Sequence, residues 1–432
     1  MTDRQLAAQV ADGGRLRALL LELWQRTRMD WGFVTDRLAT TFRKETWVGS
    51  HERRFVSETL YGMVRHLRRI DLALERARRV KKPPRDLERL LALLVLEKLI
   101  EPARAAQVEP DLDWRAAATV DDAIASERKP AARIALAASL PDWLATRFVA
   151  DWGDEAEALA LALNQRAPMT VRANLLVGDR AALAAELLKD GIDTRPGRLC
   201  DTALILESRT NLFALAAFKR GAMEAQDEGS QLLADLAVTR DAKSLVIDFC
   251  AGAGGKTLAI AARLANRGRI VACDVDAGKL EELRRRARRA HVSNARAIAL
   301  TSGRELDEFR GKADVVFVDA PCSGVGALRR NPEARWRLRE ADIATFAARQ
   351  RDIMKTAIAL AAPNARVIYA TCSLLAAENE EVARSLVGVV PLPLDEVIGT
   401  ERAGALARGG AFTVTPHVHG TDGFYARVMK RV

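Results

Sequence analysis

Cysteine and histidine are both scarce in this chain, five of each in 432 residues. Cys200, Cys250, Cys273, Cys322 and Cys372 form no C-x-x-C pair, and the histidines show no ligand spacing. A disulfide framework and a zinc site are thereby excluded, and no metal is expected. Reduced thiols fit a cytoplasmic setting. Long apolar runs are missing as well. The most apolar stretch, residues 87–100, carries Glu88, Arg89, Glu97 and Lys98 and reads as a buried helix, so no membrane partner is expected. Asp3, Arg4 and Asp12 interrupt any signal-peptide core at the start of the sequence.

What is present is a chain of 49% hydrophobic residues, enough for about three domains at roughly 150 residues each. Its net charge of +10 is uneven. Residues 1–85 hold nineteen Lys and Arg against ten Asp and Glu, an excess of nine. Between Arg65 and Arg85 nine bases face two acids, which suggests a surface for an acidic polymer such as RNA. The alternative for such a run is a solvated charged face.

Residues 1–140 read as helical. Leu16, Leu19, Leu20, Leu23 and Trp24 recur at three-to-four spacing, as do Phe55, Leu60, Val64 and Leu67. Residues 101–129 have weak periodicity and are expected to be a linker with short helical pieces. Residues 141–235 read as a small α/β lead-in domain, with a strand at 170–176 and a helix at 181–190. From residue 236 strands and helices alternate, which predicts a parallel, doubly wound, Rossmann-like sheet. Strands are expected at 245–248, 269–274, 296–300, 315–319 and 366–372, with a long helix over 341–362 ended by Pro363-Asn364. Two further strands, 412–416 and 423–430, should form an antiparallel C-terminal hairpin.

The turn after the first strand of the sheet reads CAGAGGKT, residues 250–257. A dinucleotide fingerprint matches at Gly252 and Gly254 but meets Thr257 at its third glycine. A Walker loop matches at Gly255-Lys256-Thr257 but meets Cys250 at its first position. Asp274 lies twenty residues past Gly254 at the end of the second strand, where an acid would hold ribose hydroxyls. The pocket suits a nucleoside with a ribose and no pyrophosphate, of which S-adenosylmethionine is the obvious member. The missing third glycine argues against a nicotinamide-dependent oxidoreductase.

Two thiols stand at strand ends. One strand closes on Asp319-Ala320-Pro321-Cys322, the next on Thr371-Cys372-Ser373. If these strands are neighbours, about 4.8 Å apart, both thiols and the Asp319 carboxylate face one cleft. Cys200, Cys250 and Cys273 read as inert core thiols. Chemistry that needs a thiolate beside an acid is methylation of a pyrimidine ring carbon: sulfur adds at carbon 6 and makes carbon 5 nucleophilic. The base must leave its stack to be reached.

At these residues the chain resembles the RsmB/Nop/Sun family of RNA cytosine-5 methyltransferases. The motifs are QDEGSQ (226–231), DFCAGAGGKT (248–257), ACDVD around Asp274, DAPCSG (319–324), RRNPEARW (329–336), YATCS (369–373) and DGFYA (422–426). The resemblance implies a class I methyltransferase domain over 236–432, preceded by a helical NusB-like RNA-binding domain over 1–140. It implies Cys372 as nucleophile, Cys322 in product release and Asp319 against the target base. Cys250, Ala251, Gly252, Ala253, Gly254, Gly255, Lys256, Asp274, Ser302 and Asp319 are expected around S-adenosylmethionine. Arg329, Arg330, Arg335, Arg172 and Asn174 are expected to contact RNA, with ribosomal RNA as substrate and a monomer as the working form. Three positions depart from the family pattern: Ala253 replaces a proline, Ser302 an aspartate near the adenine, and Arg335 a lysine. The alternatives are a transfer-RNA methyltransferase and, on the strength of Ser302, a non-catalytic RNA-binding or ribosome-assembly protein.

Overall fold

The computed structural model describes residues 1–78, 80, 82–239 and 241–432. The chain divides into two units, residues 1–166 with 328–340, and residues 167–327 with 341–432.

The first unit is helical. Helix Gly14–Asp30 buries Leu16, Leu19, Leu20, Leu23 and Trp24, and helix Ser50–Arg65 buries Phe55, Leu60 and Val64, as the spacing predicts. Trp24 is fully buried and its indole N–H donates to Asp86 Oδ1 at 3.0 Å, so the large side chain costs no orphaned donor. The expected linker is part of this core. Helices Pro102–Val108, Trp114–Ala118 and Val120–Ala125 bury Ala105, Trp114, Ala117, Val120 and Ile124 in the same cluster. Each has two turns or fewer, too short for a 3.6-residue period to repeat visibly in sequence. Helices Asp142–Trp152 and Ala156–Ala162 also cluster with this unit.

The second unit begins with a small antiparallel sheet. Its strands are β1 (Met169–Ala173), β2 (Thr194–Pro196), β3 (Ala203–Leu206) and β4 (Met223–Ala225), in the order β2-β3-β1-β4. Helix Arg180–Lys189 packs Leu183 and Leu187 into the same cluster as Val171 and Leu204.

The main sheet comprises β5 (Leu245–Phe249), β6 (Arg269–Asp274), β7 (Ala295–Ala299), β8 (Ala313–Asp319), β9 (Ala361–Thr371), β10 (Val389–Pro391), β11 (Ala407–Arg408), β12 (Ala411–Val414) and β13 (Phe424–Arg431). Its order is β11-β12-β13-β9-β8-β5-β6-β7, with β10 also paired to β13. Strands β5 to β9 are parallel, and β13 runs antiparallel to β9. Strand β5 is buried at every position, as are Val315–Val318 of β8, the pattern of a sheet covered on both faces. The long helix ends at Ile358 rather than at Pro363, and β9 starts at Ala361. Pro363 is tolerated inside a strand because the β8–β9 register is irregular there, between Ala313 and Val315. The chain crosses from one half of the sheet to the other between β5 and β8. Ligands of open α/β sheets bind beyond the strand carboxyl ends at such a switch point. Among the described residues no helix is long and apolar enough to cross a membrane, and no cluster of three or more His, Cys, Asp or Glu side chains could hold a metal ion.

Candidate active site

Past β5 the backbone turns sharply, with Cys250, Gly252 and Gly254 all at positive φ. At Gly254 (φ +83°) a Cβ would lie 2.5 Å from Leu283 Cγ, so only glycine lets helix Ala277–Arg289 pack this close. Gly252 and Gly255 have open space where a Cβ would stand, leaving a backbone-lined cradle. The Gly252 N–H donates to Asp274 Oδ2 at 2.8 Å, and the Asp276 N–H to Oδ1 at 2.9 Å. Each carboxylate oxygen keeps a second lone pair for a ribose hydroxyl. An open cradle beside a half-satisfied carboxylate fits S-adenosylmethionine. Ser302 is exposed; its hydroxyl and N–H both donate to Glu305 Oε1, at 2.9 and 2.7 Å.

Beneath the turn lies Asp248, wholly buried, accepting the Thr257 hydroxyl at 2.5 Å. Its Oδ1 has no partner among the described residues. Burial pushes this carboxyl up to about 7, with the charges of Asp319 and Asp274 adding. Sequence reasoning gave Asp248 no role, although it opens the DFCAGAGGKT motif.

The second half of the site hangs from β8 and β9, which are paired in parallel through Asp319 opposite Ala370. Cys322 and Cys372 follow a few residues later, and their sulfurs are 3.3 Å apart. The Gly326 N–H donates to the Cys372 carbonyl at 2.9 Å, and a Cβ on Gly326 would collide with Gly423 O at 2.2 Å. That approach is the physical reason for the glycine in DAPCSGVG. The Lys256 ammonium is ion-paired with Asp319. Burial pulls the lysine down, but Asp319, by charge and hydrogen bond, with Cys372 and Asp248 adding, raises it overall. Lys256 thus stands as a fixed cation beside the thiol pair as well as beside the cradle.

The five thiols fall into two groups. Burial is the first cause of the upward shift at Cys200 and Cys273, and it pushes Cys250 up to about 12, so these three stay neutral. The Cys322 thiol is also raised, first by its hydrogen bond to Cys372 and then by burial. Cys322 therefore favours its neutral form, with the Cys372 sulfur in contact with it.

The expected RNA contacts need correction. Arg172 is 3% exposed, its Nε donating to Gln226 Oε1 at 2.7 Å, and burial lowers it to about 10. The Asn174 side-chain amide donates to the carbonyls of Gly221 and Ala290, both at 2.8 Å. Both side chains face inward and hold the lead-in strands in place. Arg335 has no exposed surface; it donates to Ala138 O at 2.8 Å and Asn164 Oδ1 at 2.6 Å within the helical unit, and burial lowers it to about 9. Arg329 is buried and Arg330 half-buried. Much of the basic run is paired within the protein. Arg65 is buried, Arg68 and Arg69 pair with Asp142 and Asp121, and Arg78 and Arg85 share Glu88. Arg79 and Lys81 lie outside the described residues. Arg76, Lys82 and Arg85 are exposed, Arg85 while paired with Glu88 and Glu109.

A β7-β6-β5-β8-β9-β13-β12 sheet with a nucleoside cradle at its switch point defines a class I methyltransferase. The family can be given as well: the chain belongs to the 16S rRNA methyltransferase RsmB/F family, whose catalytic-domain model matches residues 236–430. The ferredoxin-like domain model of the same family matches residues 140–212. A probable ribosomal RNA small subunit methyltransferase B of Synechocystis is 30% identical over 88% of this chain and 91% of its own. The Bacillus subtilis protein of that description is 29% identical over 70% of this chain and 68% of its own. The crystal structure of PH0851 superposes with a TM-score of 0.75 at 23% identity, covering 95% of this chain and 97% of that one.

Proposed function

We propose that this enzyme methylates carbon 5 of a cytosine in small-subunit ribosomal RNA through a covalent bond from Cys372 to carbon 6 of the base. The reading rests on one observation above all: two sulfurs 3.3 Å apart at the carboxyl ends of adjacent parallel strands. Beside them stands the Lys256–Asp319 pair. S-adenosylmethionine, held by residues 250–256 and Asp274, supplies the methyl group and leaves as a neutral thioether.

The chain's own residues account for the remaining steps. Cys372 as thiolate forms the sulfur–carbon bond at carbon 6, and the electron pair displaced from the ring double bond makes carbon 5 nucleophilic. Lys256, a nearby cation, favours the thiolate. Asp319, fixed by Lys256, offers its carboxylate to the polar edge of the base and orients the ring. After carbon 5 gains the methyl group its proton passes to solvent water, the carbon–hydrogen pair re-forms the ring double bond, and the carbon 6–sulfur pair leaves with the sulfur. Cys372 departs as a thiolate, and the proton kept on Cys322 is placed to quench it.

RNA carrying 5-fluorocytidine blocks loss of the carbon 5 substituent and should trap the adduct. The parent chain is expected to form a stable protein–RNA band with the methyl donor, Cys372→Ala none, and Cys322→Ala an adduct even on ordinary RNA. An adduct with Cys372→Ala, absent with Cys322→Ala, would reverse the two assignments.

A further inference from the structure

Neither thiol-bearing turn is held by the sheet ladder itself, since Cys322 and Cys372 both lie beyond the last paired residues, Asp319 and Ala370 with their flanks. One buried carboxylate spans the gap. Glu378 has no exposed surface. Its Oε1 accepts the Ser323 N–H at 2.9 Å and the Gln350 Nε2–H at 3.1 Å. Its Oε2 accepts the Ser323 hydroxyl at 2.5 Å and the Ser373 hydroxyl at 2.6 Å. Ser323 directly follows one thiol and Ser373 directly follows the other. The surroundings are fixed in turn: Gln350 also donates to Pro321 O at 3.1 Å, and Asn379 bonds Thr371 Oγ1 at 2.6 Å and Ser373 O at 3.0 Å.

We infer that Glu378 is a positioning residue of the thiol pair, a carboxylate that, together with the Gly326 N–H to Cys372 O bond and the 3.2 Å contact between the Ser323 and Ser373 hydroxyls, ties the Cys322 turn to the Cys372 turn and so sets the distance between the two sulfurs. Four donors on two oxygens fill the acceptor capacity of a carboxylate, and three of the four come from the serines beside the sulfurs. A glutamine in its place keeps the shape but turns one acceptor into a donor facing two hydroxyl or N–H donors. The distance part of the inference stands on geometry alone. Its catalytic consequence rests on the reading that Cys322 serves the release of Cys372.

The test separates the two. Dibromobimane bridges neighbouring thiols, each sulfur displacing one bromide, and needs neither RNA nor methyl donor. Bridging of Cys322 to Cys372 in Glu378→Gln is expected to slow by about tenfold, given how steeply intramolecular reactions depend on alignment. Single-thiol labelling by monobromobimane, measured with Cys322→Ala or Cys372→Ala added, should change far less. Turnover should fall by about 100-fold for a shift of about 1 Å, while KM for S-adenosylmethionine stays put, because the cradle lies on β5 and β6. Unchanged bridging in the folded variant overturns the inference, as does a parallel loss of single-thiol labelling. Should Glu378→Gln fail to fold, Ser373→Ala removes one bond from one turn and leaves the carboxylate, and unchanged bridging there overturns the inference equally. Slowed bridging in a chain whose parent form methylates no cytosine would support the positioning role and sink the reaction proposed above.

Discussion

The helical unit and the edge of the main sheet carry the two strongest signals in the sequence, basic charge and paired thiols, and they use them in opposite ways. In the helical unit the bases of the run 65–85 and Arg335 are largely taken up by the protein itself, by burial or by ion pairs. Arg65 and Arg335 are buried, and Arg68, Arg69, Arg78 and Arg85 are matched by carboxylates. At the sheet edge both thiols remain partly exposed, where the strand ends set them. The difference lies in reach. A cysteine sulfur is one bond from Cβ, so the backbone fixes its place. An arginine has a long stem and a rigid fork, and its guanidinium finds partners far from where the chain leaves it. A thiol at a strand end is therefore a strong sequence signal, and an arginine in a motif is a weak one.

That contrast breaks first at Arg335. If it serves structure, Arg335→Ala should destabilise the helical unit by about 3 kcal/mol, because it strips Ala138 O, Asn164 Oδ1 and Pro332 O of a donor in a buried site. Urea unfolding measures it. A loss confined to RNA affinity, with the midpoint unmoved, would return Arg335 to the RNA-facing role the motif suggested.

Asp248 sharpens the contrast from the other side, as a buried charge the sheet edge leaves half-satisfied. Its ordinary pKa of 3.8 applies to the unfolded chain, and in the fold it is pushed up to about 7. Between those values the native state binds more protons than the unfolded one, so stability falls as pH rises through about 7. From about pH 6 to about pH 8 the parent chain should lose about 1.4 kcal/mol that Asp248→Asn does not lose. The variant's absolute stability is not the readout, since its amide inherits the unpartnered position. Parallel pH profiles for the two chains would remove Asp248 as the cause.

The sheet was legible because its strands are short apolar runs closed by glycine, proline or an acid, and because strand–helix alternation admits few topologies. The cradle and Asp274 followed from fixed offsets, and the thiol cleft from the adjacency of β8 and β9. What escaped were features set by distant partners. Glu378 bonds Ser323 and Gln350 from 55 and 28 residues away, and nothing in TCSLLAAENE or in the long helix marks those partners. The run at 101–129 reads as a linker because helices of two turns or fewer have no period to show. Pro363 read as a helix stop, although the irregular pairing at the start of β9 admits it within the strand.

The smallest effect concerns two exposed cations of the basic run. Arg76 and Lys82 are exposed in a region whose other described bases are buried or paired. A phosphate contact releases a condensed counterion, so each base that touches RNA adds to the salt dependence of binding whatever the RNA sequence. Arg76→Ala and Lys82→Ala should each reduce the slope of log affinity against log salt by about 1 on a small-subunit ribosomal RNA fragment, with stability untouched. Arg68→Ala, whose charge is already matched by Asp142, should leave that slope nearly unchanged. Equal slopes for all three variants would mean that internal pairing does not decide which arginines meet the RNA, and would erase the distinction between inward and outward charge.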